Sequence, residues 1–176
     1  ISSTLTADLT YNPDFSQVES DASQINVNNS FALYYSEKRP FFLEGANIFD
    51  SPMNLVYTRT IYNPLLATKV TGKAGKTEIG FLSALDKNSA FIIPFEDYSD
   101  YILTNRRAFS NILRLKHTIK NETYIGLIFT DREVNKEGDN YFSVDGYNRV
   151  YGLDANVKLG ENYYLQLEAV KYDSKE

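Results

Sequence analysis

Apolar and polar residues alternate with a period of two along most of this chain, and this alternation limits its possible folds more than any other feature. The clearest case is the segment 151–159, where Tyr, Leu, Ala, Val and Leu alternate with Gly, Asp, Asn and Lys. Successive side chains of a β-strand point to opposite faces, so such a segment has one apolar and one polar face. Its apolar residues do not recur at the i, i+3, i+4 spacing of a helix. We therefore predict an all-β fold.

Other segments alternate in the same way and are separated by two kinds of connection. They lie at 5–11, 79–82, 113–120, 124–130 and 163–169. Short polar turns lie at 73–76, 120–123 and 160–162, and longer joints at 86–105 and 131–147. Short turns at one end of the strands and long loops at the other are typical of up-and-down membrane barrels. We predict roughly seven or eight antiparallel up-and-down strands, part of a transmembrane β-barrel of outer-membrane type.

The composition excludes several kinds of protein and site. The 176 residues include no Cys and a single His, which removes disulfide frameworks, thiolate zinc sites and multi-histidine metal sites. A formal net charge of −5 argues against binding to a nucleic-acid backbone. The chain contains no run of the ~20 apolar residues that a membrane-spanning helix needs. A Ser-His-Asp site would require His117, but no nucleophile motif surrounds it, so we predict that the protein is not an enzyme.

The first fifty residues differ from the rest. A strand at 5–11 is followed by a polar stretch around Pro13 and by an aromatic-rich stretch at 31–49, and neither alternates cleanly. We therefore expect residues 1–50 to comprise a first strand plus an irregular plug-like or periplasmic segment. Residues 51–176 are expected to be antiparallel barrel strands, and the whole chain to be a fragment of a larger barrel.

Several motifs, taken in order, resemble those of a family of Gram-negative outer-membrane proteins. Two long runs around prolines carry most of the resemblance, Leu9–Asp21 with Pro13 and Glu37–Phe49 with Pro40. The segments 55–61, 67–73 and 147–154 are similar to later parts of the same family. Its C-terminal region is known as domain of unknown function 5916. The resemblance is to the opening part of that region.

This resemblance implies a large outer-membrane barrel of unassigned role, located in the cell outer membrane. In the family, the region usually follows a family-9-like carbohydrate-binding domain, which implies an association with saccharides. The implied partners are the lipid bilayer of the outer membrane and the remainder of the same barrel or a larger envelope complex. No nucleic acid and no cofactor are expected.

Two groups of charged residues are candidate sites. Carboxylates crowd the joint at 131–147, and oxygen-rich loops can hold Ca²⁺, although this spacing is not that of an EF-hand. These Ca²⁺ candidates are Asp131, Glu133, Glu137, Asp139 and Asp145. The second group surrounds Pro40 and would supply lumen or plug charges. Its members are Glu37, Lys38, Arg39 and Glu44. In the alternative interpretation, the first group is a solvated loop and the second a structural ion-pair network.

Three functions are compatible with these patterns. The first is a passive pore or envelope component linked to saccharide uptake, with apolar strand faces outward around a polar interior. The second is a soluble β-rich glycan-binding module, whose apolar faces would meet in a sandwich core. The third is a carboxylate-dependent hydrolase. Tyrosines near strand ends would form an interfacial girdle in the first case and stack on sugars in the second. They are Tyr124, Tyr141, Tyr147, Tyr151, Tyr163 and Tyr164.

Overall fold

The structure, a computed structural model, describes residues 4–15, 36–94, 99–136 and 144–175, with the backbone alone at 90–94 and 99–103. The strands are β1 (Thr4–Tyr11), β2 (Pro64–Ala74), β3 (Thr77–Asp86), β4 (Ser89–Pro94), β5 (Ser99–Thr104), β6 (Ala108–Lys120), β7 (Thr123–Asn135), β8 (Val144–Lys158) and β9 (Tyr164–Lys175). A short helix, α1 (Pro40–Leu43), and two 3-10 helices, Ala46–Phe49 and Thr58–Thr60, lie between β1 and β2. No helix within these described ranges is long and apolar enough to cross a membrane.

Seven of the strands form one antiparallel sheet in the order β1-β2-β3-β6-β7-β8-β9. This confirms the all-β, up-and-down arrangement predicted from the alternation. Within the described residues, β1 and β9 are the two edges of the sheet and do not pair with each other. The sheet is therefore open, and its closure into a barrel stays a prediction.

The connection between β3 and β6 is more ordered than its sequence indicates. We predicted a long joint at 86–105 because Pro94 and several carboxylates interrupt the alternation. Instead, β4 and β5 pair in register from Ser89 with Thr104 to Pro94 with Ser99 and form a separate two-stranded sheet. Pro94 occupies the last pair, where the missing backbone N–H removes no hydrogen bond from the interior of a sheet.

The predicted short turns are present and have the backbone geometry that tight hairpins require. The β2–β3 turn contains Gly75 at φ +62°, and the β6–β7 turn contains Asn121 and Glu122 at +39° and +56°. Positive φ angles in two-residue turns match the right-handed twist of the flanking strands. The third turn is closed by a 2.9 Å bond from the Leu159 N–H to the Tyr163 carbonyl.

The strand register gives the sheet two faces of opposite character. We call one the open face. It carries the row Val70, Phe81, Leu113, Phe129 and Tyr151 and the adjacent row Ile79, Leu115, Leu127 and Leu153. Its apolar side chains are not packed away: Leu127 is 39% and Leu153 61% exposed. The opposite side is the covered face, with Thr71, Gly80, Arg114, Ile128 and Gly152 in one row.

Residues 36–63, here named the covering segment, lie against the covered face and build the main core. Its side chains Phe42, Phe49 and Ile61 are buried against strands β2, β3 and β6. The residues contributed by the strands are Ala67, Leu82, Ala84 and Ile112. Burial of each large apolar side chain contributes about 1.5–3 kcal/mol, so this contact stabilises the segment on the sheet. The boundary expected at residue 50 falls inside the covering segment.

Candidate functional site

An arginine–glutamate pair holds together the two ends of the covering segment. Arg39 is 1% exposed, and its Nε and Nη2 donate to the two carboxylate oxygens of Glu37 at 2.8 and 2.7 Å. The same guanidinium donates to the carbonyl of Ile61 at 2.5 Å and to that of Thr58 at 2.9 Å. It also stacks on the ring of Phe42, 4.2 Å from the ring centroid. Arg39 therefore links the start of the segment to its end, about twenty residues later.

The same contacts hold Glu37 ionised. Burial by itself would raise the pKa of this carboxyl, but hydrogen bonds from Arg39 and from the Thr58 hydroxyl outweigh it and lower the pKa to about 2. The Thr58 bond is 2.6 Å long. Of the four charges predicted around Pro40, the buried Arg39 thus pairs with the half-buried Glu37, whereas the side chains of Lys38 and Glu44 lie at the surface.

Lys69 fastens α1 to the sheet. Its side chain is fully buried on β2, and its Nζ donates to the backbone carbonyls of Phe41 and Glu44 at 2.6 and 2.7 Å. The ammonium also lies 3.4 Å from a carboxylate oxygen of Asp8 on β1. A buried ammonium is costly unless it is paired and hydrogen-bonded, and here it has three oxygen partners.

Asp86, at the end of β3, binds the last part of the covering segment through hydrogen bonds. Its two oxygens accept the backbone N–H groups of Tyr62 and Asn63, each at 3.1 Å. Arg132 of β7 lies 3.7 Å from the same carboxylate. Arg132 also donates to the hydroxyls of Ser110 and Ser89 at 3.1 and 3.0 Å. These contacts join the segment, the central strands and the start of β4.

The most deeply buried ion pair crosses the covered face between β6 and β8. Both Arg114 and Asp154 have fully buried side chains, and they form a bidentate pair in which Nη2 donates to Oδ2 at 2.8 Å and Nη1 to Oδ1. The pair spans β7 at Gly126, where an added Cβ would collide with both side chains. Gly126 is therefore required by the close approach of the pair, a position that a strand gives to glycine.

Two further glycines let the covering segment approach the sheet. A Cβ on Gly80 would lie 2.8 Å from Ile48 and 2.9 Å from the ring of Phe49. A Cβ on Gly152 would lie 2.8 Å from Leu55 and 2.5 Å from Ile128. Such distances are shorter than real carbon contacts, so a larger residue at either position would force these side chains of the segment or of the sheet to shift.

The covering segment reaches β9 at one point. The Met53 N–H donates to Glu168 Oε2 at 2.6 Å. Met53 itself is exposed at 63% and lies next to Asn54, which has φ +51°. The tip of the segment therefore lies near the edge of the sheet, whereas Lys69 anchors its base on β2.

Toward the short turns, the covered face carries a second polar group outside the core. Glu78 lies 3.5 Å from Lys73 and 3.7 Å from Lys116, and the Lys116 ammonium stacks 4.5 Å from the ring centroid of Tyr124. In the β6–β7 turn, Tyr164 and Lys158 hydrogen-bond to Glu122 and lower the pKa of its carboxyl. These contacts give the covered face charged and polar groups at its turn end, next to the apolar core under the covering segment.

The Ca²⁺ candidates do not converge in the part of the chain that the structure describes. Asp131 and Glu133 lie on the open face of β7 and both bind Arg149, at 2.9 and 2.6 Å. Asp145 instead pairs with Arg106 at 3.0 Å. Glu137 and Asp139 lie outside the described residues, so the Ca²⁺ site stays a prediction. Among the described residues, no three His, Asp or Glu side chains are grouped to hold a metal ion.

His117 and the tyrosines take positions that the sequence could not specify. His117 lies exposed on the open face, with Nδ1 2.9 Å from the hydroxyl of Thr77 on β3. Tyr147 and Tyr151 are also on the open face, whereas Tyr124 and Tyr164 point to the covered face. Tyr163 lies in the β8–β9 turn, and Tyr141 lies outside the described residues.

Sequence reasoning missed several residues of the covered face. Arg114 and Asp154 were assigned to polar strand faces, but their pairing across an intervening strand depends on the register. Lys69, Asp86 and Glu168 were not singled out. One sequence feature could have indicated these residues: a charged residue on the same strand face as small or apolar residues. Lys69, which lies two residues from both Ala67 and Thr71, is an example.

Comparison with known proteins finds a family model that matches the first part of the chain. The model of the family described as Domain of unknown function (DUF5916) matches residues 1–66. The family resemblance predicted from the motifs is therefore confirmed over these residues, which include β1, the covering segment and the start of β2. No curated protein and no solved structure matches the chain significantly.

Proposed function

We propose that these residues are part of an outer-membrane β-barrel, with the open face toward lipid and the covered face toward the interior. The proposed role is that of a passive pore or envelope component without enzymatic activity. Its link to saccharide uptake rests on the carbohydrate-binding domain that usually precedes this region in the family.

One observation carries the proposal: the sheet leaves an apolar face uncovered and buries several charged side chains on its other face, beside a small apolar core. In a soluble antiparallel sheet with one solvated face, the apolar face packs on the core and the polar face meets water. Here the apolar open face is uncovered within the described residues, while Lys69, Arg114 and Asp154 are buried beneath it on the other side. An apolar exterior and a polar interior are the pattern of outer-membrane barrels.

The dimensions of the open face fit this interpretation. Strands β6 to β9 have 12 to 15 residues, more than the ~9–11 that cross a bilayer at a tilt. On β8, the apolar residues from Tyr151 to Val157 span about 20 Å at ~3.3 Å per residue. Beyond this band, charged residues begin at Arg149 and Asp131. An apolar band bordered by charges, on strands long enough to cross a bilayer, supports this orientation.

Membrane fractionation of the full-length protein, followed by electrophoresis of unheated and boiled samples in SDS, tests the proposal. A closed barrel is expected in the outer-membrane fraction, with a mobility that changes on heating. A soluble protein without such a shift would contradict the proposal and favour the glycan-binding module.

A cysteine-labelling experiment tests the orientation of the sheet. Because the chain contains no Cys, Leu127→Cys and Leu159→Cys each introduce a single thiol into it. With a charged, water-soluble maleimide, we expect Leu159→Cys in the turn to react in intact membranes. Leu127→Cys should react only after detergent is added. Equal reaction rates at both positions would place the open face in water and contradict the proposal.

A further inference from the structure

The free edge of β9 has an unsatisfied acceptor on the covered face. β9 pairs with β8 from Tyr164, which lies opposite Lys158, to Lys175, which lies opposite Tyr147. No described strand pairs with the other side of β9. Glu168 lies in the middle of this edge strand. Its Oε2 accepts the Met53 N–H, but its Oε1 is buried without a hydrogen-bond partner. Buried carboxylate oxygens are costly unless they receive a donor.

The strand next to Glu168 makes its position less favourable. Asp154 of β8 lies directly opposite Glu168 in the register, and like charges at such positions repel each other. The charge of Asp154 is already balanced by Arg114, which forms both of its hydrogen bonds with that carboxylate. Glu168 therefore leaves one uncompensated negative charge at the edge of the covered face.

The basic residues of this chain do not supply the missing partner. All 18 Lys and Arg lie within the described residues, because the ranges 1–3, 16–35, 95–98, 137–143 and position 176 contain neither residue type. In the structure, none of them hydrogen-bonds to Glu168 Oε1. A Lys or Arg paired with this oxygen would therefore belong to a segment outside these 176 residues.

The edge strands β1 and β9 of a second copy of this chain would not provide a Lys or Arg either. On the covered face, β1 presents Thr6, Asp8 and Thr10, as the register with β2 requires. The covered-face residues of β9 next to Glu168 are Gln166 and Val170. Pairing β9 with β1, or with β9 of another copy, would bring no Lys or Arg opposite Glu168.

We propose that the free edge of β9 is an interaction surface for a β-strand from outside residues 1–176 that carries Lys or Arg opposite Glu168. Neighbouring strands lie about 4.8 Å apart, which brings a basic side chain on the adjacent strand within reach of Oε1. The same strand would have apolar residues in alternate positions, to continue the row of Leu165, Leu167 and Ala169 on the open face. This second feature rests on the proposed barrel; the basic residue follows from the charge alone.

Photocrosslinking in cells that express the full-length protein tests the inference. Tyr172, which is 59% exposed on the covered face of β9, is replaced by p-benzoylphenylalanine. Tyr151 of β8, which has strands on both sides, receives the same replacement as a control. We expect Tyr172 to crosslink to a peptide outside residues 1–176 that alternates in polarity and contains Lys or Arg. Tyr151 should give no such peptide. Crosslinking of Tyr172 only to β1, to another copy of β9 or to no protein would overturn the inference.

Charge reversal tests the role of Glu168 itself. Glu168→Lys should abolish the Tyr172 crosslink, and replacing the identified Lys or Arg by Glu in the same protein should restore it. Glu122→Lys, at the exposed β6–β7 turn, should leave the crosslink unchanged. A crosslink that persists in Glu168→Lys, or that the second replacement does not restore, would overturn the assignment of the cation.

The result separates this inference from the proposed function. The crosslink can be read in either the soluble or the outer-membrane fraction. A soluble protein with the expected crosslink would contradict the barrel and retain the basic partner strand. A membrane protein without the crosslink would contradict the basic partner strand and retain the barrel.

Discussion

Arg114 and Asp154 are the residues whose removal should affect stability most, because they form a fully buried ion pair on the covered face. Arg114→Met leaves an unpaired carboxylate in the interior and should lower the free energy of unfolding by about 3–5 kcal/mol. Replacing both residues, as Arg114→Met with Asp154→Leu, should restore much of this loss, since no buried charge is then left alone. Urea unfolding of the full-length protein, followed by circular dichroism, measures both effects.

The matched control for this pair is Lys158→Met. It breaks the ion pair with Glu122, whose side chain is 62% exposed at a turn. Exposed pairs contribute little to stability, so no measurable change in the urea midpoint is expected. A loss in Arg114→Met no larger than that in Lys158→Met would show that the buried pair has no special structural role.

Glu37 should make the stability of the folded protein depend on acid pH. Its pKa is about 2 in the folded state, against an ordinary value of 4.5, because Arg39 and Thr58 donate hydrogen bonds to the carboxylate. Since the folded pKa is the lower one, the stabilisation is complete above about pH 5 and is lost as the pH falls toward 2. The amount lost is about 3 kcal/mol. Urea midpoints at pH 5 and pH 2.5 measure it.

Glu37→Gln should remove most of this difference between pH 5 and pH 2.5. Glu44→Gln is the control, because the Glu44 side chain lies at the surface and only its backbone carbonyl binds Lys69. If Glu37→Gln retained the full pH dependence of the unsubstituted protein, another group would be responsible for it.

At the scale of elements, the covering segment depends on glycines of the sheet beneath it. Gly152→Ala would place a Cβ 2.8 Å from Leu55 and 2.5 Å from Ile128, and overpacking of this kind costs about 1–3 kcal/mol. We expect the tip of the segment to detach first, because its hydrogen bond to Glu168 is exposed at the Met53 end. In limited proteolysis of the full-length protein, the Gly152→Ala variant should then be cleaved near residues 51–57 faster than the unsubstituted protein.

Gly160→Ala is the matched control for Gly152→Ala. Gly160 lies in the β8–β9 turn, where an added Cβ would come no closer than 3.8 Å to Tyr163. Its rate of cleavage at the tip should equal that of the unsubstituted protein. Equal rates in Gly152→Ala as well would mean that the sheet does not hold the tip through this contact.

At the scale of the whole molecule, the question is which medium the open face meets. Leu127→Arg places a charge in the middle of the apolar band. If this face meets lipid, the free energy of unfolding should fall by about 2–4 kcal/mol. If it meets water, the change should stay within about 0.5 kcal/mol, as for most surface substitutions. Urea unfolding in detergent micelles or lipid vesicles measures the difference.

Leu159→Arg is the control for the whole-molecule test, since Leu159 is 66% exposed just beyond the end of β8. If the open face meets lipid, Leu159 would lie near the membrane boundary, where such a charge should cost no more than about 1 kcal/mol. Equal effects at Leu127 and Leu159 would contradict a lipid-facing band.

The sequence alone determined most strands of the large sheet, its short turns and the existence of two chemically different faces. A period of two is a local property, because each residue in a strand faces opposite to the one before it. The motifs around Pro13 and Pro40 also identified the family that matches residues 1–66. The hairpin in 86–105 was missed, since Pro94 and the carboxylates interrupt the local alternation that predicts strands.

Only the tertiary structure decided which face is covered and which charges meet. Whether Lys69 or Leu113 is buried depends on where the covering segment packs, and alternation within a strand does not contain that information. The Arg114–Asp154 pair joins residues forty positions apart through the register of three strands. The tertiary structure likewise determines that Arg114 bonds to Asp154 and not to the neighbouring Glu168, whose Oε1 has no hydrogen-bond partner. Such contacts result from pairing between distant segments, which the order of residues along the chain does not specify.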